Sequence, residues 1–199
     1  MSADLFRAIP ESKLAASAEG IKRQMSARIP SNVPYVVDNL WEWLRPEHYP
    51  SRRHSTYASP TPELALLNAS AALVGSDRYV ACRLIVAPSA IKLAQLEVVD
   101  ARHHADIRLI TQWLSRHSKE LTEISVNQKR DIALLFLPGL KRDELENLRL
   151  ESGVVHELCE LARTHATFWA AASSVPRKGE GELFFELIDK SASYRLEPI

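Results

Sequence analysis

The chain has 199 residues, with 25 Lys and Arg balanced by 25 Asp and Glu, 46 % hydrophobic residues and 25 % charged ones. This is the balance of a globular domain, and it excludes a disordered acidic or basic tail and a coiled-coil rod. Zero net charge argues against non-specific nucleic-acid binding, which basic patches drive through counterion release, so a nucleic-acid partner is not expected.

No apolar run reaches the roughly 18–20 residues that a bilayer span needs, so no membrane association is expected. Met1 to Arg7 lacks a basic segment followed by an apolar one, so no secretory signal is expected. Two cysteines, Cys82 and Cys159, imply no disulfide framework, and a cytoplasmic setting is the expectation. Six glycines and no G-x-G-x-x-G or G-x-x-x-x-G-K disfavour a glycine-rich phosphate loop.

Leu5 to Ile9 reads as a short strand stopped by Pro10. Glu11 to Arg28 carries Leu14, Ala18, Ile21 and Met25 at helical spacing, with Ser12 as the cap, and predicts a helix ended by Pro30 and Pro34. Tyr35 to Leu44 reads equally as strand or short helix. As a strand it would put Trp41 and Trp43 on one face. Pro46 and Pro50 impose an extended loop. Ser55 to Ser59 reads as a strand, and Glu63 to Leu73 as a helix capped by Thr61, with Pro62 in its first turn and Gly75 at its end.

Tyr79 to Val86 and Ile91 to Val99 read as strands. Ala105 to His117 is an amphipathic helix with Ile107, Ile110, Trp113 and Leu114 inward. Ile132 to Leu137 reads as a buried strand or a short apolar helical turn. Asp143 to Leu150 and Val154 to Ala172 read as helices, the latter carrying Trp169 inward. Pro176 to Gly181 is a polar break before two last strands, Glu182 to Ile188 and Ser193 to Leu196. Strands and helices without strict alternation read as α+β.

Three islands carry chemistry: Leu5-Phe6-Arg7, Ser55-Thr56-Tyr57-Ala58-Ser59-Pro60, and Glu180-Gly181-Glu182-Leu183-Phe184-Phe185. Each taken alone is also an ordinary strand or turn. In that order they resemble the ADP-ribosyltransferases of the Arg-Ser-Glu type. Those have an apolar-aromatic-Arg first strand, a Ser-Thr-Ser strand and a Glu-x-Glu before an apolar strand. Tyr57 stands where the family pattern has Ser, and Tyr57-Ala58-Ser59-Pro60 also looks like a segment of NAD-degrading toxins that share the fold. The resemblance covers about thirty residues and implies a split mixed β-sheet core in a single domain over residues 1–199, with a helical insertion at about 101–172.

The function so implied is cleavage of the nicotinamide–ribose bond of NAD and transfer of ADP-ribose to a macromolecular acceptor. Glu182 would stabilise the positive charge that develops as nicotinamide leaves, and Glu180 would orient or deprotonate the acceptor. Ser55 would hold the catalytic carboxylate and Tyr57 would stack on nicotinamide. Arg7, or in its place Arg45, would grip the pyrophosphate, since a guanidinium offers several fixed donors.

NAD is then a substrate, and no metal is implied. The toxin variant would use water or phosphate as acceptor, and an antitoxin or immunity protein would be its partner. A non-catalytic protein-interaction module is the reading from a different class.

Arg45, Arg52, Arg53 and His54 form a basic cluster beside Ser55 that reads equally as a solvated loop or as an anion patch, with Arg53 on the NAD phosphates. His103 and His104, beside Asp100 and Asp106, read as a polar helix start rather than a metal site. Adjacent helical side chains diverge by roughly 100° and do not converge on one ion. Cys82, Cys159 and the four Trp read mainly as core.

Overall fold

A computed structural model describes residues 4–17, 20–22, 26–30, 32–70, 78–179 and 181–199. In chain order the elements are β1 (Phe6–Pro10), α1 (Leu14–Ser17), β2 (Ile21–Lys22), α2 (Tyr35–Leu44), β3 (Thr56–Ala58), α3 (Pro62–Ser70), β4 (Tyr79–Ile85) and β5 (Ile91–Gln95). They continue with α4 (Ala105–Arg116), α5 (Ser118–Glu123), α6 (Val126–Leu134), α7 (Arg142–Glu151), α8 (Gly153–His165), β6 (Leu183–Leu187) and β7 (Ser193–Pro198).

The chain divides into two compact units. One gathers the described residues of Met1–Ser26, Glu47–Val99 and Ala172–Ile199, and the other gathers those of Ala27–Pro46 and Asp100–Ala171. The helix α2 falls in the second unit together with the helices of Asp100–Ala171. The α+β class is as read. No helix among the described residues is long and apolar enough to cross a membrane.

All the strands named above belong to the first unit. They form a four-stranded sheet in the order β1-β4-β7-β2 and a three-stranded sheet in the order β3-β6-β5. Every named pairing is antiparallel, where a mixed sheet was expected. A bridge between Phe6 and Ser59 ties β1 to the end of β3.

Strand alternation gives each sheet one apolar face. Leu5, Ile9, Cys82, Leu84, Tyr194 and Leu196 of the first sheet pack with Ala58, Leu93, Leu183, Phe185 and Leu187 of the second. Burying a side chain the size of Phe185 contributes about 1.5–3 kcal/mol.

The helix expected over Glu11–Arg28 is cut short. Glu11–Lys13 is a single 3₁₀ turn that takes in Ser12, and α1 ends at Ser17. Gly20 then adopts φ +95°, a left-handed conformation that side chains disfavour, and Ile21 pairs with Tyr194 of β7 instead. Ala18 and Met25, assigned to that helix, lie outside the described residues, as do Leu73 and Gly75 at the end of α3. Thr61 caps α3 as expected, accepting the Leu64 amide at 3.2 Å.

The second unit is helical. Tyr35–Leu44 is a helix, which settles the strand-or-helix ambiguity, and it is buried nearly all round: Val36, Val37, Asp38, Asn39, Leu40, Trp41 and Trp43 are all covered. Trp41 and Trp43 therefore diverge rather than share a face. Trp41 stacks on Phe168 with centroids 3.9 Å apart, and Trp43 Nε1 donates to Glu146 at 2.9 Å.

The run Ile132–Leu137 is the end of α6 and a turn. Only Ile132 and Leu135 of it are buried, while Phe136 and Leu137 are exposed. The last long helix stops at His165, before Trp169, which is buried beyond it and donates to the Trp41 carbonyl at 2.7 Å.

The centre of this unit is a charge. Asp106 is buried at 1 % exposure and accepts from Trp41 Nε1 at 2.9 Å, the Thr167 amide at 3.0 Å and the Phe168 amide at 3.1 Å. His104 caps α4 by accepting the Asp106 amide through Nδ1 at 3.2 Å.

Candidate functional site

The register of the three-stranded sheet assembles a polar cluster from distant parts of the chain. Thr56, Tyr57 and Ala58 pair with Phe185, Phe184 and Leu183. One step further along this ladder sets Ser59 across from Glu182. Ser59 in turn exchanges two backbone hydrogen bonds with Phe6, of 2.7 and 2.9 Å. The three segments singled out in the sequence thus adjoin: β1 next to the end of β3, and the end of β3 next to the start of β6.

Alternation decides which side chains share a face. Glu182, Phe184 and Glu186 leave β6 and its start on the side away from the apolar core, and Ser55, Tyr57 and Ser59 leave β3 and its flanks on the same side. Tyr57 meets Phe184 edge to face, with centroids 6.4 Å apart. Asn68 of α3 donates to the Ser59 hydroxyl at 3.2 Å.

The loop Ser51–His54 covers this face. Arg52 Nη2 lies 3.6 Å from Glu182 Oε1, and the Ser51 amide donates to Glu186 Oε2 at 2.8 Å. The Ser55 hydroxyl donates to the Ser51 carbonyl at 2.5 Å, and the Arg53 amide donates to Ser51 Oγ at 3.3 Å, so the loop folds upon itself.

Ser51, Arg52, Arg53, Ser55, Ser59, Glu182 and Glu186 are all buried. The solvated-loop reading of Arg52 and Arg53 is therefore set aside. One guanidinium, that of Arg52, lies beside the Glu182 carboxylate in this buried region, and the Glu186 carboxylate is held by the Ser51 amide.

Glu182 is also fixed through its backbone. Its amide donates to the Val98 carbonyl at 2.7 Å, and its carbonyl accepts the Leu96 amide at 2.9 Å. Gly181 before it has φ +152°, and a Cβ there would stand 2.2 Å from the Leu96 carbonyl oxygen. The chain reaches Glu182 through a conformation and a space that only glycine fits. Glu180 lies outside the described residues.

Arg7 pairs with Cys82 and leaves β1 on the side of Leu5 and Ile9. Its Nη1 donates to the Tyr194 hydroxyl at 3.1 Å, and the Tyr194 ring packs on Phe185 in the core. Arg7 is thus on the core side of its sheet, while Phe6 is the β1 residue on the side of Ser59. Arg45 belongs to the second unit, where it pairs with Glu42, Nε to Oε1 at 3.0 Å.

Arg52 and Glu186 are the members of the cluster that the motif reading did not assign. The sequence carried a signal for each. Glu186 falls in phase with Glu182 in an alternating strand, and Arg52 belongs to the basic run that precedes Ser55.

Chemically, the cluster holds a carboxylate beside a guanidinium, with hydroxyls and an aromatic ring on the same sheet face. Such a carboxylate can stabilise positive charge on a bound molecule. Among the described residues no group of three or more His, Cys, Asp or Glu is arranged to hold a metal ion. No protein family, curated protein or solved structure matches the chain.

Proposed function

We propose that the chain is an NAD-dependent ADP-ribosyltransferase with Glu182 as its catalytic carboxylate. The observation that carries this reading is the meeting of β1, β3 and the start of β6 through the Phe6–Ser59 bridge and the Ala58–Leu183 pair. It supports the order of elements that the sequence resemblance implies.

The nicotinamide–ribose bond of NAD is labile because its leaving group carries a positive ring. As it breaks, charge develops on the ribose, and Glu182 stabilises that charge electrostatically. Arg52 stands 3.6 Å from Glu182 and orients it. Tyr57 offers a ring for nicotinamide, and Ser55 ties the loop that carries Arg52 to the sheet. Arg7, bonded to Tyr194, supports the core beneath the site rather than the pyrophosphate.

The test is to incubate the purified protein with NAD and to measure released nicotinamide. Glu182→Gln should lower turnover by about 100-fold or more while thermal unfolding shows a folded chain. Equal turnover by both proteins removes Glu182 from the mechanism. No binding of millimolar NAD in a calorimetric titration would instead make the chain a non-catalytic interaction module.

The hydrogen bond from Asn68 to Ser59 favours a second reading within the same chemistry, because it fastens Tyr57-Ala58-Ser59-Pro60 to the helix that follows. That element is the one resembling NAD-degrading toxins, with water or phosphate as acceptor. Free ADP-ribose, or its phosphate, as product in place of a labelled macromolecule distinguishes this variant. An antitoxin or immunity protein is then its partner.

A further inference from the structure

The outer edge of β5 is open over part of its length, and it lines a cleft. In an antiparallel ladder alternate residues exchange backbone bonds with a given neighbour. The Ile188 amide donates to the Ala90 carbonyl and the Leu96 amide to the Glu182 carbonyl, so the even-numbered residues of this segment face β6. Ile91, Leu93 and Gln95 direct their amides and carbonyls the other way.

At Gln95 this outer edge is already used. Gln95 and Ser173 exchange two backbone hydrogen bonds, of 2.8 and 2.9 Å, as an antiparallel bridge. The chain then peels off, because the Ser173 hydroxyl bonds both the amide and the carbonyl of Val175. Ile91 and Leu93 are left facing a cleft of about 710 Å³.

The cleft has two distinct sides. Leu5, Leu84, Val86, Ile91 and Leu93 give it an apolar floor continuous with the core between the sheets. Val175 and Ile188 on its lining are 66 % and 48 % exposed, so the apolar surface continues from the floor to the rim. On the opposite face of β5 stands Lys92, half-buried, across the ladder from Glu186 of β6 but, among the described residues, in no ion pair, since the Glu186 carboxylate is held by the Ser51 amide.

We propose that this edge takes an extended segment of a partner protein, in which apolar residues alternate with acidic ones. An added strand continues the antiparallel order that Ser173 begins and bonds to the backbone of Leu93 and Ile91. Its alternate side chains fall into the cleft against Leu84, Val86 and Leu5. The intervening ones fall beside Lys92, where a carboxylate complements the charge.

The test uses two synthetic peptides, acetylated and amidated, one alternating Val with Glu and one alternating Val with Lys. Amide hydrogen exchange of the full chain is followed as each is added. The Val/Glu peptide should slow exchange at Ile91 and Leu93 and leave Lys92 and Ala94, already bonded to β6, unchanged.

The Val/Lys peptide should bind about fivefold more weakly, and Lys92→Glu should reverse that preference. N-methylating alternate peptide amides should abolish binding in one phase and spare it in the other. No added protection at Ile91 and Leu93 with millimolar Val/Glu peptide overturns the proposal. So does equal binding of the two peptides, and so does protection that grows with protein concentration alone, which would assign the edge to a second copy of the chain.

Discussion

Arg52 Nη2 stands 3.6 Å from Glu182 Oε1, with 4 % and 8 % of the two side chains exposed. A buried pair of this kind recovers little net energy over an apolar pair of equal size, because both ions gave up water. Its rupture is another matter. Arg52→Met deprives a buried carboxylate of its neighbouring cation and should cost about 3–5 kcal/mol in denaturant unfolding. Arg52→Met combined with Glu182→Leu should regain a good part of that loss. Additive destabilisation by the two changes would show that they do not act as a pair.

Gly181 sets the path into Glu182. A Cβ at this position meets the Leu96 carbonyl oxygen at 2.2 Å, and φ is +152°. Gly181→Ala should cost about 1–3 kcal/mol from the backbone conformation, and more from the clash. It should also lower NAD turnover by displacing the carboxylate. Gly153→Ala is the matched control, since nothing lies within 4 Å of its added Cβ and its φ is not positive. It should leave stability unchanged or raise it by about 0.5–1 kcal/mol. Equal stabilities for the two variants would show that the segment before Glu182 relaxes freely.

The parts of the fold legible in the sequence are those governed by local pattern. Tyr79–Ile85 and Leu183–Leu187 have the apolar and β-branched content of strands, and both form strands. The amphipathic spacing of Ala105–Arg116 marked Ile110 as buried. That spacing gave no sign that Asp106 is buried, because polarity alone carries no information about donors that arrive from Trp41, Thr167 and Phe168.

The helix expected over Glu11–Arg28 failed for a similar reason. The left-handed Gly20 and the pairing of Ile21 with Tyr194 override a favourable apolar spacing. Of the candidate site, the three islands were legible as motifs. Which arginine stands beside Glu182 was not. Arg7 and Arg52 are equivalent in a string of letters, and strand alternation sends one of them to the core side and the loop brings the other to the carboxylate.

Asp106 makes the second unit sensitive to acid. Burial pushes its carboxyl up, but the adjacent His104 side chain and the hydrogen bonds from the Thr167 amide and the Trp41 indole outweigh burial and hold it below the usual Asp value. A carboxyl depressed in the folded state contributes stability above its unfolded pKa, about 3.9, and loses it as pH falls through the folded value. Unfolding midpoints should therefore fall as pH drops below about 4. Asp106→Asn removes the charge and places an amide donor among donors. It should cost about 2–3 kcal/mol near neutral pH and flatten the acid limb of the stability curve. A variant that loses stability equally at all pH values would show that Asp106 does not titrate on unfolding.

Cys159 and Cys82 are free thiols and fully buried, in α8 and β4 respectively. Burial, which disfavours the thiolate, pushes the Cys159 pKa up to about 12 and raises that of Cys82. Reactivity follows the thiolate and its access to reagent, so both groups should be inert at neutral pH in the native protein. A disulfide reagent followed by absorbance should label neither at a rate above that of unfolding, and both within minutes in denaturant. Treating the protein with iodoacetamide should leave NAD turnover unchanged. Rapid native labelling of Cys159 would mean that α8 opens far more often than its buried side suggests, and a loss of the proposed turnover on alkylation of Cys82 would bring β4, which pairs beside Arg7, into that reaction.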